Sequence, residues 1–106
     1  MNTDHLVVLC TCPDAGHADT IMTALLEQQL AACVNRVPGV ASMYRWQGRV
    51  EHDDEVLLVI KTAMRHFDEL EKTIRELHPA DVPEIIGLPI VMASQPYLDW
   101  IDESVA

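Results

Sequence analysis

Residues 6–10, Leu-Val-Val-Leu-Cys, are apolar at every position, the pattern of a short buried strand. Thr11-Cys12-Pro13-Asp14 ends that run, and Asp14 is placed to cap a helix. The apolar period then changes. Ala18, Ile21, Met22 and Leu25 recur at helical spacing, with Asp19, Thr23 and Glu27 on the wet side. Gly16 weakens the first turn slightly, and the helical pattern fades near residues 28–30. Residues 31–37 lead into a second strand, which Pro38-Gly39 interrupts, predicting a kink or bulge.

The next stretch organises the chain. Within residues 40–62 two strand-like segments flank a short turn, Trp46-Gln47-Gly48-Arg49, where Gly48 supplies the backbone freedom of a hairpin turn. Side chains alternate across a strand, so Tyr44 and Trp46 share one face and Met43 and Arg45 the other. Residues 56–60, Val-Leu-Leu-Val-Ile, are apolar throughout, which suits a central strand covered on both faces. The hairpin is long for its chain, and its tip, with the acidic run His52-Asp53-Asp54-Glu55, is expected to overhang the core as an arm gripping another subunit.

Phe67, Leu70, Ile74 and Leu77 mark a second amphipathic helix, poorly capped, with Asp68 and Glu69 near its positive end and Pro79 stopping it. Residues 84–92 read as a fourth strand, which Pro89 confines to an edge or a bulge. Ser94 is a candidate cap for a short last helix with Tyr97, Trp100 and Ile101 on one face. The order is βαββαβ plus a short C-terminal helix. Right-handed crossovers put both main helices on one side of a single antiparallel sheet, a ferredoxin-like α+β domain spanning residues 1–106. The other sheet face must then carry half of the apolar strand residues, which predicts an interface and a homo-oligomer.

Composition narrows the partners. Seventeen acidic against seven basic residues give a net charge of −10, with no cluster of cations to hold phosphates, so nucleic acid and anionic membranes are disfavoured. No segment reaches membrane-spanning length. Cys10, Cys12 and Cys33 cannot all pair within the chain, and the N-terminus lacks the features of a signal peptide; a reducing cytoplasm with free thiols is expected. His5 and His17 read as surface residues, and Cys33, after Ala31-Ala32, as packing.

Several blocks then match a known family in order and spacing: Cys10-Thr11-Cys12-Pro13-Asp14, Leu30-Ala31-Ala32-Cys33-Val34-Asn35, Tyr44-Arg45-Trp46-Gln47-Gly48, Ile60-Lys61-Thr62, His78-Pro79, Pro83-Glu84-Ile85 and Tyr97-Leu98-Asp99-Trp100. Over residues 6–101 the chain resembles the CutA divalent-cation-tolerance family. The resemblance implies a tight homotrimer, similar in architecture to PII signalling proteins, and a link to tolerance of copper and other divalent cations. It also implies a copper set of one cysteine ending the first strand and two adjacent histidines after the second helix. Cys10 matches the cysteine and His78 the second histidine; Leu77 stands at the first, and Cys12 is a candidate substitute. Lys61, Glu84, Tyr97 and Trp100, with Tyr44 and Trp46, are expected near subunit boundaries or in a cleft between subunits.

Thiolate and imidazole together suit copper, Cu(I) especially, and zinc. The bland alternative for Cys10 is a small buried hydrophobe at a strand end. For His78 it is a cation on the negative end of a helix. The acidic run 52–55 lacks the spacing of a calcium loop. No catalytic constellation is complete: Cys10 and His78 have no orienting third group or oxyanion site, and no Gly-rich phosphate loop is present, so no enzyme is expected. Beside metal binding stand two alternatives, a PII-like sensor of a small ligand between subunits and a structural or adaptor trimer.

Overall fold

The computed structural model describes residues 4–106. The first strand, β1 (His5–Cys12), runs two residues past the apolar run because β3 pairs with it to the end, Cys12 opposite Val56. Helix α1 (Ala15–Glu27) begins where the Asp14 carboxylate accepts the His17 N–H at 2.8 Å. That bond holds the Asp14 carboxyl below the usual carboxylate range. Its end is sharp: Gln29 adopts a left-handed conformation (φ 55°) and the Leu30 N–H reaches back to the Leu25 carbonyl, a Schellman-type closure.

β2 (Cys33–Trp46) and β3 (Arg49–Ala63) form the long hairpin. The ladder shifts register between Val37 and Val40, where Pro38 has no N–H to give and Gly39 sits at φ 74°. The expected bulge is there. At the tip, Gln47 and Gly48 both have positive φ, 51° and 78°, the two-residue loop that matches strand twist. The acidic run does not lie at this tip. His52, Asp53, Asp54 and Glu55 pair with Met43, Ser42, Ala41 and Val40, part-way down the arm. The molecule is 44 Å long against 28 and 23 Å in its other directions, as a projecting arm requires.

After a single 3-10 turn (Met64–His66), α2 (Phe67–Leu77) has no side-chain cap but carries Asp68 and Glu69 in its first turn. It buries Leu70, Thr73 and Ile74. β4 is only Ile86–Pro89, shorter than the expected 84–92, because it pairs with just four residues of β1, Leu6–Leu9. Sheet order is β2-β3-β1-β4, so β4 with Pro89 is an edge strand and β3 is central.

Helices α1 and α2 pack on one face over Leu6, Val8, Cys10, Cys12, Leu58 and Ile60. The buried Thr62 hydroxyl donates to the Leu30 carbonyl at 2.6 Å, so no polar side-chain atom there is stranded. On the opposite face Val7, Leu9, Leu57 and Val59 are half-buried, and Ile86 and Leu88 are exposed. That face is not wholly bare. α3 (Gln95–Ser104) covers its end, burying Leu98 and Ile101 while Tyr97 and Trp100 stack outside with ring centroids 5.6 Å apart. The expectation that Tyr97, Trp100 and Ile101 share a face is therefore corrected: Leu98 joins Ile101 inward. Ser94 precedes α3 without a side-chain capping bond.

His5 also departs from expectation. The pleat points it away from α1 and α2, where α3 closes over it; it is 6% exposed and its Nε2 lies 3.0 Å from Asp102 Oδ1. His17 is exposed, as expected, and bonded to Asp14.

Candidate metal centre

Side chains two apart on a strand point the same way. With β1 extended through Cys12, both Cys10 and Cys12 face the helix side and are fully shielded from solvent. Both are free thiols. The short β4 leaves the edge of β1 beyond Leu9 without a strand partner on that side. His78 fills the opening. It caps α2 in an extended conformation (φ −85°, ψ 135°), the state that a following proline favours, and this turns the ring towards β1.

The Nε2–H of His78 donates to the Thr11 carbonyl at 2.7 Å, and the Ala80 N–H donates to Nδ1 at 3.1 Å. These partners assign the tautomer: the Ala80 amide can only donate, so Nδ1 must accept and the proton sits on Nε2. One ligand atom each from Cys10, Cys12 and His78 lies within 4.8 Å of the others, and among the described residues these three make the only such group of His, Cys, Asp and Glu. Leu77, half-buried against the hydrophobic core, offers no donor.

The two thiols titrate as a pair. The hydrogen bond between them pushes Cys10 up and Cys12 down; burial and the negative charges of Cys12, Glu84 and Glu55 push Cys10 further. Cys12 therefore gives up its proton before Cys10, whose S–H donates weakly to the Thr11 carbonyl, 3.9 Å from Sγ. Two shielded sulfurs and one imidazole form a donor set suited to a soft or borderline transition-metal ion.

Beside this set a groove of about 850 Å³ separates the arm from residues 78–84, lined among others by Tyr44, Trp46, Glu55, His78 and Glu84. Tyr44 donates its hydroxyl to Asp53 across the arm. That bond, together with the negative charges nearby, pushes Tyr44 up to about 12. Lys61 lies elsewhere, bonded to Asn35 and with its Nζ 4.0 Å from Cys33 Sγ. Within one chain the six boundary candidates thus fall in two places: Tyr44, Trp46 and Glu84 at the groove, and Lys61, Tyr97 and Trp100 apart from it.

A titration checks the arm. In a Tyr97→Phe background, Asp53→Asn should bring Tyr44 ionisation down from about 12 towards 10, followed by phenolate absorbance. An unchanged curve would show that the Asp53 bond does not set it. What sequence reasoning missed at the metal set is backbone: the Thr11 carbonyl and Ala80 amide that hold His78, which no side-chain pattern announces.

A family model described as CutA1 divalent ion tolerance protein matches residues 6–104. The divalent-cation tolerance protein CutA of Thermus thermophilus is 51% identical over 98 residues, 92% of this chain and 95% of that protein. An Escherichia coli protein of the same name is 36% identical over 104 residues, 98% of this chain and 93% of its own. The solved structure of the Thermus thermophilus protein superposes with a TM-score of 0.94 at 49% identity, covering 96% of this chain and 99% of that one. With the match spanning both cysteines, His78 and every element of the sheet, this chain belongs to the CutA1 divalent ion tolerance family.

Proposed function

We propose that this protein works in metal-ion tolerance as a homotrimer that binds copper through Cys10 and His78, with Cys12 as a third donor. The convergence of two shielded thiols and an imidazole within 4.8 Å carries this reading. When bound, copper would supply the affinity for these donors that a tolerance protein needs; no turnover chemistry is proposed. Cys10 and Cys12 shed protons to ligate, and His78 exchanges a hydrogen bond for a coordinate bond. Oligomerisation rests on the half-open apolar face around Leu9 and Val59 and on the projecting arm, and the number three on the likeness to the family. A cytoplasmic setting, where thiols stay reduced, belongs to the same proposal.

Copper titration of the reduced parent protein, Cys10→Ser, Cys12→Ser and His78→Ala tests the site. Each single variant should weaken binding by at least about tenfold, the scale on which lost metal-site interactions act. If Cys10→Ser and His78→Ala both bind copper like the parent, the site lies elsewhere.

The groove favours a second reading, a PII-like sensor holding a small ligand against Tyr44, Trp46, Glu55 and Glu84. A metabolite retained by Cys10→Ser and lost in Trp46→Ala would support the sensor over the metal site.

A further inference from the structure

The groove between the arm and residues 78–84 has a chemistry more particular than the sensor reading above requires. We propose, resting on that reading, that the groove holds a linear aliphatic di- or polyamine. Its ammonium groups meet Glu55 and Glu84, and its carbon chain lies against Tyr44 and Trp46.

At about 850 Å³ the groove is of the size that takes a small molecule, roughly 300–1,000 Å³. Its charge has one sign. Glu55 on β3 and Asp81 and Glu84 on the opposite segment line it, and among the described residues no lysine or arginine does. None of these three carboxylates is held in an ion pair among the described residues. His78, also in the lining, has both ring nitrogens engaged by Thr11 and Ala80.

The arm strengthens the negative field. Tyr44 lies opposite Glu51, and Asp53 and Glu55 follow at alternate positions, so all three acids share the Tyr44 face. The hydrogen bond to Asp53, and then the charges of Asp53, Glu55 and Glu51, push Tyr44 up to about 12. A phosphorylated or polycarboxylate metabolite would meet these charges with no cation to offset them. An amine is drawn in by them.

Spacing separates an amine from a metal ion. A hard cation such as calcium gathers its oxygens at about 2.3–2.6 Å. The groove carboxylates do not converge in that way: among the described residues only Cys10, Cys12 and His78 group their ligand atoms within 4.8 Å. Glu55 and Glu84 stand on opposite walls, which suits a flexible chain with a cation at each end. Tyr44 and Trp46, 41% and 39% exposed, offer aromatic surface to its methylene groups and to an ammonium.

The test is calorimetric titration of spermidine into the reduced, metal-stripped intact chain, with ATP as the anionic comparison. Spermidine should bind once per chain, more weakly as salt rises, and ATP should not bind. Glu55→Gln, Glu84→Gln and Trp46→Ala should each weaken spermidine binding about two- to fivefold, the scale of partly exposed ion pairs and cation–π contacts. Glu27→Gln removes the same charge from the last turn of α1, outside the groove, and should leave binding unchanged.

An equal loss in Glu27→Gln would make spermidine a diffuse counter-ion of an acidic chain and overturn the site. Failure of spermidine to bind overturns the proposal directly. ATP binding that Trp46→Ala abolishes would then replace the amine with an anion and leave the sensor reading standing. If instead neither ligand binds and Trp46→Ala breaks up the assembly by light scattering, the groove is the seat of a second copy and the sensor reading falls with the amine.

Discussion

Ile60→Ala is expected to lower the unfolding free energy by about 2–5 kcal/mol, the range for truncating a large aliphatic side chain in a closed core. Ile60 is fully buried on the central strand, opposite Val8 on one side and Val34 on the other. No movement of a single neighbour can fill the space, since both flanking strands are held by their ladders. A domain of this size typically has about 5–15 kcal/mol in all, so the variant should unfold at distinctly lower urea or fail to fold. Val59→Ala is the matched control. Val59 is the next residue but points to the opposite, half-open face, so its truncation should cost a single chain much less. Urea unfolding at a fixed protein concentration makes the comparison, because assembly would otherwise shift both midpoints. Equal losses for the two variants would mean that both faces are equally closed in solution.

The second large effect concerns assembly. Leu9→Asp places a carboxylate at the middle of the half-open face, where Leu9 pairs with Val59 on one side and Ile86 on the other. In a lone chain the new charge keeps contact with water. In the proposed homotrimer it would be buried without a partner, which costs several kcal/mol. At about 1.4 kcal/mol per decade, association weakens by more than about a hundredfold. Light scattering should therefore report a trimer for the parent and a monomer for Leu9→Asp at micromolar concentration, with unchanged circular dichroism. A parent that is monomeric, or a variant that still associates fully, would sink the assignment of this face to assembly. Trp46 is a weaker probe in the single chain, being 39% exposed, so an appreciable stability loss from Trp46→Ala would itself point to a partner covering the arm.

Much of the fold was legible from residues 4–106 taken locally. The helical spacing of Ala18, Ile21 and Leu25 and of Leu70 and Ile74 marks the faces that are buried. Asp14 caps as its chemistry suggests, Pro38-Gly39 makes the bulge, Gly48 serves the turn, and Pro89 falls on an edge strand. These features depend on one residue's dihedral preferences or on the period of a few neighbours, information that the chain carries without reference to its partners. The same holds for the motif blocks that resemble the CutA family and single out Cys10 and His78.

Other features were decided only when distant segments met. β1 continues through Cys12 because Val56 is there to pair with it, and this turns Cys10 and Cys12 to one face. β4 stops at four residues because it pairs with only Leu6–Leu9 of β1, although its apolar pattern runs on. His5 looks like a surface residue until α3 closes over it from the far end of the chain, with Asp102 97 positions away. His78 reaches Thr11, 67 positions back, because β4 pairs with only Leu6–Leu9 and leaves that edge of β1 open beyond Leu9, where α2 ends. Hydrophobic period and turn chemistry are short-range properties, so the sequence by itself determines the elements and the faces they bury. The order in which strands pair, and hence which donors converge, is set by long-range packing of those faces, and only the tertiary structure decides it.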